Sequence, residues 1–179
     1  KASAQEALER GFEVMLHMPM ECKEAKHTYP QSILTSMTEE EVSATVTQAL
    51  SDVPGASGVN NHTGSLYTTD AEAMRRFFKA IQDQKLFYID SRTTKDTVAY
   101  DVATEEGVRA GKRELFLDNV ANPALIRRRT WELVERARKR GGAIGICHFR
   151  PATVKALKQV LPELKEYGVE LVHVSELLP

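Results

Sequence analysis

Along this chain, short β-favouring runs repeatedly give way to polar residues, with helix-patterned segments between them. The runs lie at 12–16, 57–65, 86–89, 114–117, 143–147 and 169–174. Six strands alternating with helices at this spacing predict right-handed βαβ units and a parallel sheet, an α/β fold. No internal repeat, low-complexity tract or linker interrupts the pattern, so residues 1–179 read as a single domain.

Capping chemistry punctuates the helices. Gly11 closes a short segment over 2–10. Thr38 with Glu41 spells a capping box, followed by an apolar stripe of Val42, Val46, Ala49 and Leu50. Asp70 precedes a stripe of Met74, Phe77, Phe78 and Ile81. A short helix around 98–106 ends at Gly107. Asn122-Pro123 opens a long helix, with Ile126, Leu133, Val134 and Ala137 inward, that Gly141-Gly142 stops. A further amphipathic helix is expected over 153–167. Residues 22–36 have no clean period and read as a loop, either a lid over the site or a segment with residues missing. Pro19 is expected to end pairing of the first strand.

Composition narrows the function classes. The chain is 42% apolar and 27% charged with a formal net charge of −1. No basic field with interleaved aromatics argues for nucleic acid. The arginines at 127–129 and 136–140 read as a solvated helix face. The two cysteines, Cys22 and Cys147, imply no disulfide framework. No run of about 18 apolar residues is present, so no membrane span is expected. No signal peptide is visible, and residues 1–10 already read as mid-domain helix. The chain is therefore expected to be trimmed at its N-terminus.

Chemistry concentrates where strands end. His17 with Glu21, Asn61 with His62, Asp90 with Arg92, Asp118 with Asn119, and His148 with Arg150 each follow an apolar run. In a parallel sheet curled into a barrel, all five ends would share one bowl. Histidines with carboxylates suit a divalent metal such as zinc, which lowers the pKa of a bound water and polarises a carbonyl. An unliganded imidazole nearby would protonate a leaving group. Taken singly, each feature has a plainer reading. A lone strand-end histidine is more often a structural hydrogen bonder, Asp90 and Asp118 could cap helices, and Asn60-Asn61 could be turn chemistry. His27 and His173 are read as structural. Cys147 is disfavoured as a nucleophile because a strand would face it away from His148.

The segments GFEVMLHMPME (11–21), ILTSMTEEEV (33–42), GVNNHTGS (58–65), FYIDSRTT (87–94), LFLDN (115–119), AIGICHFRP (143–151) and GVELVHVSEL (168–177) together resemble the divergent polysaccharide deacetylases, distant relatives of chitin and peptidoglycan deacetylases. The resemblance implies a deformed (β/α) barrel, a divalent metal such as zinc, and hydrolysis of N-acetyl groups on a polysaccharide or oligosaccharide. It also implies a secreted or periplasmic location. The broader superfamily binds its metal through one aspartate, from an Asp-Asp motif on a first strand, and two histidines four residues apart. That strand does not lie within these residues. His17 matches the first histidine, but Glu21 stands four residues later. Either Glu21 serves as an oxygen ligand or His62 replaces the imidazole; His62 is favoured. His148 falls where the superfamily places its general-acid histidine. Asp90 and Arg92 fall in its substrate- and base-orienting segment, and Asp118 is a candidate partner for an imidazole. Glu21, Asn61, Asp118 and Arg150 are candidates for substrate binding or ligand support.

Two functions follow as expectations. One is a metal-dependent hydrolase acting on N-acetylated glycans. The other is an inactive module that binds a glycan or small ligand in the same bowl.

Overall fold

The computed structural model describes residues 2–179. They form two compact units, one running up to Lys112 together with Leu178 and Pro179, the other spanning Arg113–Leu177. In both, parallel strands alternate with helices.

The first unit contains α1 (Ala2–Glu9), β1 (Met15–Met20), α2 (Glu39–Asp52), β2 (Gly58–Thr63), α3 (Ala71–Gln82), β3 (Phe87–Asp90), α4 (Ala99–Glu105) and β4 (Ala110–Lys112). Its four strands pair in the order β1-β2-β3-β4, all parallel. Helix starts follow the capping signals. Thr38 accepts the Glu41 N–H while the Glu41 carboxylate accepts the Thr38 N–H at 2.8 Å, the full capping box. Asp70 caps α3 by accepting from Ala73 N–H at 3.0 Å. Met74, Phe77, Phe78 and Ile81 are wholly buried, on one side of α3. They pack with Val42 and Val46 of α2 against Leu16, Met18, Met20, Val59 and Tyr88 of the sheet. Each such side chain contributes roughly 1.5–3 kcal/mol on burial, so this layer sets which face of every strand looks inward.

The second unit holds β5 (Leu115–Phe116), α5 (Pro123–Arg140), β6 (Gly145–Ile146) and α6 (Pro151–Glu166). β5 and β6 pair in parallel. Asn122 caps α5 by accepting from Ala124 and Leu125 N–H, and Gly141 closes it with φ +85°. Leu115, Leu117, Ile126 and Ala156 form one small core, and Val134, Val160 and Leu164 another.

Three expectations are corrected. Pro19 does not end the first strand: it lies within β1, in register with His62. Its carbonyl accepts Ile33 N–H at 3.0 Å on the side away from β2. The ring nitrogen points the same way, so the missing N–H removes no bond from the β1–β2 ladder. The strand accordingly starts later and runs past His17, which is a mid-strand residue. Residues 169–174 form no strand; a 3-10 turn follows over Val174–Leu177. Leu171 is 66% exposed, and β-branched character without a pleated, half-buried surface does not make a strand. The sixth strand is instead β4, a three-residue piece that pairs with β3.

Candidate functional site

The register of β1 on β2 brings two histidines together. His17 pairs with Asn60 and Pro19 with His62. In a parallel pair, partnered residues point to the same face and alternate along each strand. Leu16, Met18 and Met20 take the helix-covered face, so His17 takes the other, with Asn60 and His62 beside it. The His62 Nδ1 lies 2.9 Å from His17 Nε2, and the rings meet edge-on with centroids 4.7 Å apart.

A hydrogen-bonded chain leads away from this pair. His17 Nδ1 lies 3.0 Å from Asn60 Oδ1. Asn60 Nδ2 donates to Ser91 Oγ, also at 3.0 Å. Ser91 follows β3, and its N–H donates to Asn61 Oδ1 at 2.8 Å. Asn61 is fully buried on the helix side, where it also accepts the Tyr88 hydroxyl at 3.0 Å and donates to the Thr63 carbonyl. Asn61 is thus a clamp behind the sheet, and Asn60 is the residue in front of it. Sequence reading missed Asn60 and Ser91. The signal for Asn60 was its spacing of two from His62, which puts both on one face of a strand.

Glu21 is committed elsewhere. One of its carboxylate oxygens accepts both the N–H and the hydroxyl of Thr35, each at 2.7 Å. With the Met20–Ile33 bridge, this pins the far end of the 22–36 loop to β1. Within the loop a turn at Tyr29-Pro30-Gln31-Ser32 closes with Ser32 N–H on the Tyr29 carbonyl at 3.0 Å, and Pro30 presets the turn. The half-exposed Tyr29 ring stands 4.9 Å from that of His62.

Asp90 lies on the helix side with Tyr88, two residues earlier on the same strand, and is almost wholly buried. It accepts Arg92 N–H at 2.7 Å and the Thr97 hydroxyl at 3.0 Å. Burial pushes its carboxyl above the ordinary range, against these bonds. The tight turn holds Arg92 at φ +50° with its side chain exposed. The structure therefore places Asp90 on the opposite face of the sheet from the imidazole pair.

In the second unit, Asp118 and His148 follow β5 and β6 and meet. Asp118 is fully buried; its carboxylate accepts His148 N–H at 2.8 Å and the Thr153 hydroxyl at 2.7 Å. The His148 Nδ1 lies 3.1 Å from the other oxygen, while the side chain is 47% exposed. Burial acts to raise the Asp118 carboxyl, but Thr153 and His148 together hold it below the usual carboxylate range. Arg150, exposed, reaches the Asp118 carbonyl only at 3.5 Å. Cys147 packs among Leu115, Leu117 and their neighbours, where burial, then Asp118, pushes its thiol up. That environment is the reverse of what activates a thiol nucleophile.

The imidazole pair fits a cation as two of its ligands. Two nitrogens bound to one tetrahedral zinc at about 2.0–2.1 Å stand roughly 3.3 Å apart, a small opening from the 2.9 Å seen here. Among the described residues, no group of three or more His, Cys, Asp or Glu side chains is placed to hold a metal ion.

The family model described as divergent polysaccharide deacetylase matches residues 1–178. An uncharacterized protein of Haemophilus influenzae is 36% identical over 177 residues, covering 99% of this chain and 63% of that protein. The uncharacterized protein YibQ of Escherichia coli is 34% identical over 175 residues, covering 98% of this chain and 54% of that one. The chain thus spans 63% and 54% of the length of these two relatives. The crystal structure of an uncharacterized protein from Agrobacterium tumefaciens matches with a TM-score of 0.92 at 23% identity, over 97% of this chain and 71% of that one. At that identity the likeness speaks for the fold alone.

Proposed function

This chain belongs to the divergent polysaccharide deacetylase family, and from that premise we propose that it is a metal-dependent hydrolase that removes N-acetyl groups from a polysaccharide or oligosaccharide. The observation that carries the reading is the 2.9 Å approach of His62 Nδ1 to His17 Nε2. Those two nitrogens would hold a divalent cation such as zinc. When bound, such a cation lowers the pKa of a coordinated water and polarises a carbonyl.

The chain's own residues take the remaining roles. In amide hydrolysis water adds to the acetamide carbon, the C–N bond breaks, acetate leaves and the amine takes a proton. We assign that proton to His148. Asp118 holds its Nδ1 side, so Nε2 is the nitrogen directed outward. Arg92 and Arg150, both exposed, are assigned to the anionic or polar groups of the substrate. Asp90 contributes by fixing the turn that carries Arg92. A cell-wall glycan as substrate would put the protein outside the cytoplasm, secreted or periplasmic.

The limited donor set favours a second reading, a module that binds glycan without turnover. Zinc titration of chelator-treated full-length protein, with acetate release from N-acetylated chitooligosaccharides, decides between them. The hydrolase reading expects one tight zinc per chain, lost in His62→Ala, and zinc-dependent acetate release. Glycan binding with no acetate released at any zinc concentration would establish the second reading instead.

A further inference from the structure

We infer that Tyr29 is a sugar-stacking residue, on whose ring the apolar CH face of a pyranose rests while its N-acetyl group reaches the imidazole pair. The inference deepens the proposed glycan reading and rests on it for the choice of ligand. Tyr29 stands on the same side of β2 as the pair, its ring centroid 4.9 Å from that of His62. The two rings meet at 53°, not face to face, and Tyr29 stays 49% exposed. Part of a large aromatic surface is therefore open to solvent beside the candidate centre. The carbonyl carbon of an N-acetyl group is two bonds from the sugar carbon that bears it. A sugar offering that group to His17 and His62 must keep its own ring alongside them, where Tyr29 stands.

The loop that carries Tyr29 is fastened on both sides of it. Before it, Cys22 N–H donates to Thr28 Oγ1 at 3.0 Å, and the Cys22 thiol donates to the His27 carbonyl at 3.3 Å. After it, the buried Ser32 takes both backbone groups of Tyr29: its hydroxyl accepts Tyr29 N–H at 3.1 Å, and its N–H donates to the Tyr29 carbonyl at 3.0 Å. Ile33 is then tied to β1 on either side, donating to Pro19 and accepting from Glu21. The ring thus projects from a backbone already fixed, and tyrosine has only two side-chain torsions to settle. A contact surface set in advance loses little entropy when a ligand covers it. An aromatic ring with one apolar face open and a polar tip suits a sugar, whose CH face is apolar and whose rim is hydroxylated.

Calorimetric titration of the chelator-treated, full-length protein with chitotetraose, and with cellotetraose, which has the same backbone without acetamido groups, tests the assignment. Tyr29→Ala is expected to bind chitotetraose roughly 5- to 30-fold more weakly, the loss of one aromatic anchor. Tyr29→Phe, which keeps the ring, should stay within a few fold of wild type. Zinc affinity should change little in either variant. In wild type, the ring CH protons of the bound sugar are expected to move upfield in proton NMR, a signature of stacking that needs no variant to fold. Equal sugar affinity in wild type and Tyr29→Ala, or no upfield shift, would overturn the assignment. So would a Tyr29→Ala protein that loses zinc and keeps chitotetraose, since Tyr29 would then only pack against His62. If Tyr29→Ala weakens both sugars while wild type releases no acetate, the stacking role stands and the hydrolase reading falls. Wild type that binds neither sugar would end the glycan reading and this inference with it.

Discussion

Tyr88 donates its hydroxyl to Asn61 Oδ1 at 3.0 Å, on the face of the sheet opposite the two histidines. Burial, and then Asp90, raise the Tyr88 phenol well above its usual range, so the hydroxyl stays a donor at any working pH. The Asn61 oxygen it shares with Ser91 N–H is consequently a fixed point. Tyr88→Phe removes one net bond, and we expect a loss of about 0.5–1.5 kcal/mol by chemical denaturation. Asn61→Leu strands two buried donors and should cost more, roughly 2–4 kcal/mol for the pair. Zinc titration of Tyr88→Phe is expected to show near-normal affinity, since the second bond to Ser91 remains.

Glu21 and His62 make opposite predictions as the partner of His17. Glu21 spends its carboxylate on Thr35, so Glu21→Ala should loosen the loop and not the imidazole pair. Hydrogen exchange at Ile33 and Thr35 is expected to accelerate, with zinc affinity kept within a few fold. If Glu21→Ala abolished zinc binding and His62→Ala did not, the oxygen ligand would be the right choice after all.

Asp118 ties acid stability to the second unit. Its carboxyl sits below the ordinary range when folded and returns to about 3.9 when unfolded. A depressed folded value means the unfolded chain binds the proton more readily, so the contribution is complete above the unfolded value and disappears as pH falls through the folded one. Asp118→Asn should therefore lower the melting temperature at neutral pH, by an amount corresponding to about 1.5–3 kcal/mol. The gap to wild type should close on acidification below about pH 4. A gap independent of pH would show that the charge is not what matters.

Gly58 begins β2 with no room for a side chain. A Cβ built there lies 2.3 Å from the Phe87 ring, which is itself buried. Gly58→Ala should cost about 1–3 kcal/mol by overpacking. Phe87→Leu in the same protein is expected to return part of that loss, a coupling that a double-mutant cycle measures directly.

The helices were legible because their signals are local. Thr38 with Glu41, Asp70, and Asn122 with Pro123 satisfy their own backbone within one turn, and all three caps form as the residues imply. The approach of His62 to His17 was within reach for a related reason: strand alternation fixes each face once the apolar residues are assigned. What escaped was set by partners distant in sequence. Ala110–Lys112 has no strand character of its own and exists through its bonds to β3. Residues 169–174 have that character and no ladder. The place of Pro19 depends on which way its nitrogen points, and the side on which Asp90 sits follows from Tyr88 packing against Phe77 and Phe78.

The alternation along β1 also acts as a proofreading device during folding. Sliding that strand by one residue against β2 would drive His17 into hydrocarbon and turn Leu16, Met18 and Met20 out to water. A misaligned chain would meet this penalty on every residue of the strand simultaneously. Fidelity of the imidazole pair is thus underwritten by greasy neighbours that never touch a substrate.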